Sequence, residues 1–398
     1  MLQIKYLSSG KKVLTAKDAP VENNTLQGYK NELQSIEQFK TNITQAENKN
    51  NRQEVSLSSA QDVLILAQES LINANNGAYN YDDLQSISQD LKSGLTQMIE
   101  LANTQSESGD YIFAGYQSST KPFSIDSDNQ VFYSGDSGTQ LLSISSLTQV
   151  TIARPGDDVF QKVPNATGDF SISYTNNTTP PPEPYDVDED DPDVYVESAR
   201  IVDRQSYNAS AMTPDLTFDY TDTNADGITE VTVTDGSATI VHGPVDYIEG
   251  STIAFNGMEI DLDGNPLPGD QFTMAESTEK SVFDTLKDAI EWIDTLGEGN
   301  LDDPKQHQVD YKHVLSQLNE SFNHITSQRA EVGVTLKSID TQKNVHLDVE
   351  VMLQTAAGNI ENLDYAKAIS DFEQKQLSLQ AAQQTFSQVQ GLSLFNYI

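Results

Sequence analysis

Proline is the residue a helix interior tolerates least, at a cost of about 3 kcal/mol, and its placement partitions this chain. Of 14 prolines, 12 fall between Pro122 and Pro268, none occurs from Val21 to Lys121, and only Pro304 follows Pro268. Two flanks can therefore support long helices, and the middle cannot. Charge changes at the same places. Pro122 to Glu279 holds 29 Asp or Glu against four basic residues, Arg154, Lys162, Arg200 and Arg204, and so supplies −25 of the formal net charge of −37.

In the first flank, Leu26, Tyr29, Leu33, Ile36, Ile43 and Asn50 recur at heptad spacing, with Lys40 and Glu47 interrupting the seam. At 1.5 Å per residue this predicts an amphipathic helix of roughly 50 Å or more. Leu64, Ala67, Leu71 and Ala74 carry the stripe to Asn75-Asn76-Gly77, a stop signal, and a second helix carries Leu84, Ile87, Leu91, Leu95, Met98 and Ala102. The second flank opens with Phe283, Leu286, Ile290 and Ile293. It then shows the most regular run in the chain: Tyr311, Leu315, Leu318, Phe322, Ile325, Arg329, Val332, Leu336 and Ile339 alternate by four and three, and only Arg329 is polar. Each large apolar side chain buried contributes roughly 1.5 to 3 kcal/mol, so such a seam needs facing helices, which the first flank can supply. The intramolecular seam is expected at Leu26, Leu33, Ile36, Leu318, Phe322, Ile325, Val332 and Leu336.

Short β-branched and aromatic runs fill the middle, among them Val131-Phe132-Tyr133, Ile228 to Val233 and Ser251 to Phe255, and the turn dipeptides Asp226-Gly227, Asp235-Gly236 and Asp263-Gly264 separate them. Pro180 to Pro184 and the acidic run to Asp193 have too little hydrophobicity to fold alone and read as an exposed loop or linker. The fold class is therefore α+β: a long antiparallel helical-bundle domain built from both flanks, with an inserted acidic antiparallel β domain. Residues 1–120 and 276–358 are expected to be its two helical halves, 121–275 the β-rich outer domain and 359–398 an assembly helix.

That last segment places Ile369, Phe372, Gln376, Leu379, Gln383, Phe386 and Gln390 at three-four spacing, and after Lys375 no charged residue occurs in the remaining 23 positions. An uncharged polar helix suits packing among identical copies, where repeated charges would repel. It is expected to lack fixed structure until assembly; an ordinary C-terminal helix on the domain surface fits the segment equally.

Composition narrows the functions. A net charge of −37 repels nucleic acid and anionic membrane surfaces and leaves a basic partner or plain solubility. With no cysteine the chain has no disulfide, thiol catalysis or Cys-based metal site, and Met1 to Gly10 does not read as a Sec-type signal peptide. No run of about 18 apolar residues predicts a membrane span.

Gly135-Asp136-Ser137-Gly138 matches the tetrapeptide around the nucleophile of chymotrypsin-like proteases. Those enzymes need histidine and aspartate upstream, and the first histidine here is His242, so a turn is the favoured reading. Asp222, Asn224, Asp226 and Gly227 imitate the start of a calcium loop. Its twelfth position is Val233 rather than glutamate, and a hairpin turn explains the same residues. His242, His307, His313, His324 and His346 have no metal-pair spacing and read as solvated or partly packed, and Trp292 reads as a packing residue. No metal and no cofactor is expected.

Several motifs occur in order. They are Leu7-Ser8-Ser9-Gly10-Lys11-Lys12 through Asp18-Ala19-Pro20, Gly109 to Tyr116, Tyr133-Ser134-Gly135-Asp136, Pro266 to Phe272, Arg329 to Gly333, Asp364-Tyr365-Ala366 and the ending Leu392 to Ile398. Together they resemble the bacterial flagellin superfamily, and within it its hook–filament junction members, over residues 7–120 and 264–398. Ala19 departs from the second aspartate many members carry, and only six residues precede Leu7 where members have further helical turns. Read with that short arm, the chain is expected to polymerise poorly.

The resemblance implies a non-enzymatic structural subunit, exported unfolded through the flagellar type III apparatus to the extracellular flagellum. Implied partners are hook-associated protein 1, flagellin, further copies of the chain in a ring, and a flagellar export chaperone at the C-terminal helix. Ile369, Phe372, Leu379, Phe386, Leu394 and Phe395 are the expected assembly or chaperone contacts. In the family's terms Gly109 to Tyr116 would be the strand leaving the helical domain, Tyr133 to Asp136 the first strand and turn of the outer domain, and Pro266 to Phe272 the return. Filament flagellin, and a secreted protease using Ser137, are the alternatives.

Overall fold

A computed structural model describes residues 2–391 except 16, 18, 77–78, 127–129, 176–193, 214 and 299–303. Asp18, Gly77, the proline-rich and acidic run Pro180 to Asp193, and the expected contacts Leu394 and Phe395 lie outside the described residues. In chain order the elements open with α1 (Leu2–Ser9), α2 (Pro20–Ala74), α3 (Tyr81–Ala102), β1 (Phe123–Ile125), β2 (Val131–Tyr133), β3 (Gln140–Ser143), β4 (Gln149–Ala153), β5 (Val163–Pro164) and β6 (Phe170–Thr175). There follow β7 (Tyr195–Ile201), α4 (Arg204–Ala209), β8 (Leu216–Thr221), β9 (Glu230–Thr234), β10 (Ile240–Asp246), β11 (Thr252–Phe255), β12 (Met258–Asp263), β13 (Gln271–Glu276), β14 (Glu279–Lys280), α5 (Val282–Glu298), α6 (Pro304–Glu361) and α7 (Tyr365–Gly391). A π turn, Asp157–Gln161, precedes β5.

Contacts divide the chain into two units: residues 1–45, 143–150 and 337–398 form one, and 46–142 with 151–336 the other. Within the larger unit, α2 and α6 run antiparallel, because partners advance along one as they retreat along the other. Glu54 pairs with Arg329, Gln61 with Thr326, Gln68 with Asn319 and Asn75 with Gln308. The lone polar residue of the α6 seam, Arg329, thus has its charge answered by Glu54 across the interface. Leu318, Phe322, Ile325, Val332 and Leu336 join Leu57, Leu64, Leu71 and the apolar faces of α3 and α5 in one hydrophobic cluster. α3 starts with a capping box in which Asn80 accepts the Asp83 N–H at 3.1 Å and Asp83 accepts the Asn80 N–H at 3.2 Å.

The first strands belong to this helical core. Phe113, Phe123, Phe160 and Phe283 pack as an aromatic group with ring centroids 5.1 to 5.9 Å apart, and Tyr133 stands 5.0 Å from Phe123. The hairpin β1–β2 therefore seals the helices, rather than opening the outer domain as the family resemblance suggested. Gly109 to Tyr116 is also not a strand. Gly109 and Gly115 bend it with φ of 86° and 67°, and only the isolated bridges Gln105–Tyr111 and Ala114–Pro155 pair it.

A second cluster starts at Phe170 and takes side chains from two antiparallel sheets, a five-stranded one in the order β10-β9-β8-β13-β6 and a three-stranded one in the order β11-β12-β7. Alternation along β8, where Leu216, Phe218 and Tyr220 are buried, and along β9, where Val231 and Val233 are, gives each strand one core face. A turn at Asn256-Gly257, with φ of 49° and 79°, joins β11 to β12. Pro266 to Phe272 leads into β13 of this domain, so the return to the helices comes at β14 and α5 instead.

In the smaller unit, Leu26 and Ile36 are buried and Leu33 partly so. Lys40, which breaks the apolar repeat, reaches Glu350 at 3.0 Å, and Phe39 stacks on His346 at 5.6 Å. His346 is buried here and His307 in the larger unit, so these two are packed rather than solvated; burial lowers the His307 pKa to about 4.

Candidate assembly site

Where the N-terminal leader meets the C-terminal helix, backbone and side chains form a latch. The Lys12 N–H donates to the Glu361 carbonyl at 2.8 Å, and the Leu363 N–H returns a bond to the Gly10 carbonyl at 2.9 Å. The Glu361 carboxylate also holds Lys11 at 2.7 Å and Lys30 at 3.0 Å. Those two ammonium donors lower its pKa. Gly10 has φ of 69°, a conformation that L side chains rarely adopt, and a Cβ there would lie 2.8 Å from the Tyr365 hydroxyl and displace it. Asp364 accepts the Lys367 N–H at 3.1 Å and caps α7. The motif Asp364-Tyr365-Ala366 is a helix start.

From that cap α7 runs 27 residues, and almost none of it is covered. Ile369, Leu379 and Phe386 are exposed, with Leu377 and Val389 beside them, and only Phe372 among the described expected contacts is partly buried. The helix is formed, which corrects the expectation of a segment without fixed structure. Internal hydrogen bonds and the Ala- and Gln-rich sequence hold its backbone, and α1 packs against part of it. The structure thus places Ile369, Leu379 and Phe386 on one helix and leaves all three exposed.

Side-chain clips that sequence patterns did not indicate fasten the β segments to the long helices. In the larger unit Asn50 donates to the Thr151 carbonyl at 2.9 Å and Gln53 to the Ile152 carbonyl at 3.1 Å, and from α6 Gln317 donates to the Pro164 carbonyl at 3.1 Å. In the smaller unit Asn42 reaches the Ser143 carbonyl and His346 the Ile144 carbonyl, both at 2.7 Å. Their acceptors are backbone groups about 100 to 200 positions away, so no local signal marks them. Asn50, at a seam position, was the one visible hint.

The catalytic readings dissolve into turns. The Ser137 hydroxyl donates to Asp157 at 2.7 Å, a carboxylate where a protease needs an imidazole. Burial raises the Asp157 pKa, but hydrogen bonds from Lys162 and Ser137 hold it below the usual range on balance. Asp136 shapes this turn by accepting the N–H groups of Tyr116 at 2.9 Å and Gly138 at 2.8 Å. In the calcium-like loop, Asp222 accepts the Gly227 N–H at 3.0 Å and Asp226 the Ile228 N–H at 2.9 Å. No cluster of three metal-ligating side chains occurs among the described residues, nor is any described helix long and apolar enough to cross a membrane.

Comparison with known proteins agrees with this architecture. The bacterial flagellin N-terminal helical region matches residues 3–118 and the C-terminal helical region residues 315–398. Flagellar hook-associated protein 3 of Salmonella typhimurium is 22% identical over 98% of this chain and 90% of its own length. The protein of the same name from Escherichia coli is 30% identical over 43% of this chain and 54% of its own length. The crystal structure of the flagellar junction protein FlgL from Legionella pneumophila superposes with a TM-score of 0.66 at 25% identity, covering 84% of this chain and 99% of that one. With flagellin helical regions at both ends and hook-associated protein 3 as its relative through the middle as well, the chain belongs to the flagellin superfamily.

Proposed function

We infer that this protein is a structural subunit of the bacterial flagellum, an adaptor at the hook–filament junction that joins hook-associated protein 1 to flagellin. The observation that carries this is the likeness to hook-associated protein 3 over nearly the whole chain, β domain included. Copies of the chain form a ring, α7 supplies contacts between neighbours, and before assembly the same helix is held by a flagellar export chaperone. Its uncovered Ile369, Leu379 and Phe386 support that reading. The protein leaves the cell through the flagellar type III export apparatus and acts outside it, as scaffold rather than enzyme.

Hook–basal bodies from cells lacking their own junction protein, but carrying hook-associated protein 1, provide the test. Added protein should let flagellin grow filaments on them, seen by electron microscopy, while the protein alone should not form long filaments. Filaments of the protein alone would make it a filament flagellin, and no growth with all components present would refute the adaptor role.

A further inference from the structure

At one end of the five-stranded sheet three loops of the β domain are tied together. Thr229 is the node: its carbonyl accepts the Tyr247 N–H at 2.8 Å and its hydroxyl donates to the Pro266 carbonyl at 3.2 Å. The Tyr247 hydroxyl closes the knot on the Gly264 carbonyl at 2.8 Å. Beside each knotted residue stands a large apolar side chain left in water. Ile228 is 46% exposed, Ile248 68% and Leu267 43%, and Val245 on the adjoining strand is exposed as well. Turns need Asp, Asn and Gly, not isoleucine and leucine, and a cluster of apolar tips on a braced frame gains free energy only when something covers it.

The rim of the patch decides what that is. Asp222, Asp226, Glu230, Asp246, Glu249 and Asp270 lie on the same three loops and the strand ends that carry them, and Gln205 to Glu279 contains no Lys or Arg. We propose that this acid-rimmed apolar loop end is a docking surface for a cationic protein segment that also carries apolar side chains. The same surface of a second copy does not fit, because it would set like carboxylates against each other. Anionic lipid and nucleic acid are repelled for the same reason. Since the Thr229 knot holds the loops in place beforehand, little ordering opposes docking.

The test uses the full chain and a fluorescein-labelled amphipathic helical peptide of roughly 18 residues, Lys and Leu only, with a Lys-only peptide of equal length as comparator. Fluorescence anisotropy at about 50 mM and about 500 mM salt separates the electrostatic part. The Lys/Leu peptide should bind the parent protein at least tenfold more tightly than the variant I228S/I248S/L267S, and the Lys-only peptide should bind both equally weakly. D246N/E249Q should keep the apolar part and lose much of the salt dependence. All five positions are exposed, so unchanged circular dichroism melts will confirm that the variants fold. No binding by the parent, or equal binding by the triple variant, overturns the proposal. So does sedimentation showing that the parent self-associates and the triple variant does not.

Discussion

Phe160 shows how much a single side chain carries. Its ring meets Phe113 and Phe123 edge-on and Phe283 at a tilt, joining the π turn to α5. Phe160→Ala should cost about 3 to 5 kcal/mol, because helices fixed on all sides cannot collapse into the cavity; urea denaturation will measure it. A second residue-scale effect is acid sensitivity. Burial lowers the pKa of both His307 and His313 to about 4, and Lys280 and Lys312 push His313 the same way. Asp288, Glu291 and Asp310 line the same cleft. In both cases the native state binds protons less readily than the unfolded chain. The stability these groups contribute is therefore complete above about pH 6.5 and declines as pH falls toward 4, by a few kcal/mol in total as an order of magnitude. Carboxylates with lowered pKa, such as Asp235 at about 2, withdraw their contribution only below that window. His307→Gln with His313→Gln should flatten the slope of unfolding free energy between pH 6.5 and 4 while leaving the acid limb in place.

Among elements, α7 is the one whose outer half the monomer should not need. Leu379→Ser with Phe386→Ser should shift unfolding free energy by less than about 0.5 kcal/mol, yet abolish incorporation at the hook end, read by immunogold labelling. A loss of monomer stability would show that the helix docks on its own chain. How far the elements could be read in the sequence follows the same division. The repeat from Tyr311 to Ile339 and the stop at Asn75 define α6 and the end of α2 because helix periodicity and chain reversal are local properties. Burial on α6 is wider than that repeat, however: Val314, Gln317 and Ser321 are covered too, and Gln317 reaches the Pro164 carbonyl of β5. Allegiance of the first strands was illegible because Phe123 and Phe160 read like any strand aromatics until Phe283, more than 100 positions on, meets them. At the assembly site, the spacing of Ile369, Leu379 and Phe386 showed a helix face, whereas the latch of Gly10 to Lys12 on Glu361 joins opposite ends of the chain and leaves no trace in either.

For the molecule as a whole, charge sets the response to solvent. Repulsion among the surplus carboxylates behind the net charge of −37 opposes compaction and is screened by salt. Raising NaCl from about 20 mM to about 300 mM should therefore raise the melting temperature by several degrees, and a fall would mean that ion pairs such as Lys40–Glu350 outweigh the repulsion. The long pairing of α2 with α6 has a consequence in time. Gln61 and Thr326 are 265 positions apart and Asn75 and Gln308 are 233, whereas the β-domain pair β6–β13 spans about 100. Closing a long loop must precede the contacts that reward it, so rates fall as that separation grows. A chain delivered from its N-terminus can close the β domain once Glu276 has emerged. The helical core has to wait for α6, and until then α2 and α3 are halves of a structure whose other half has not arrived.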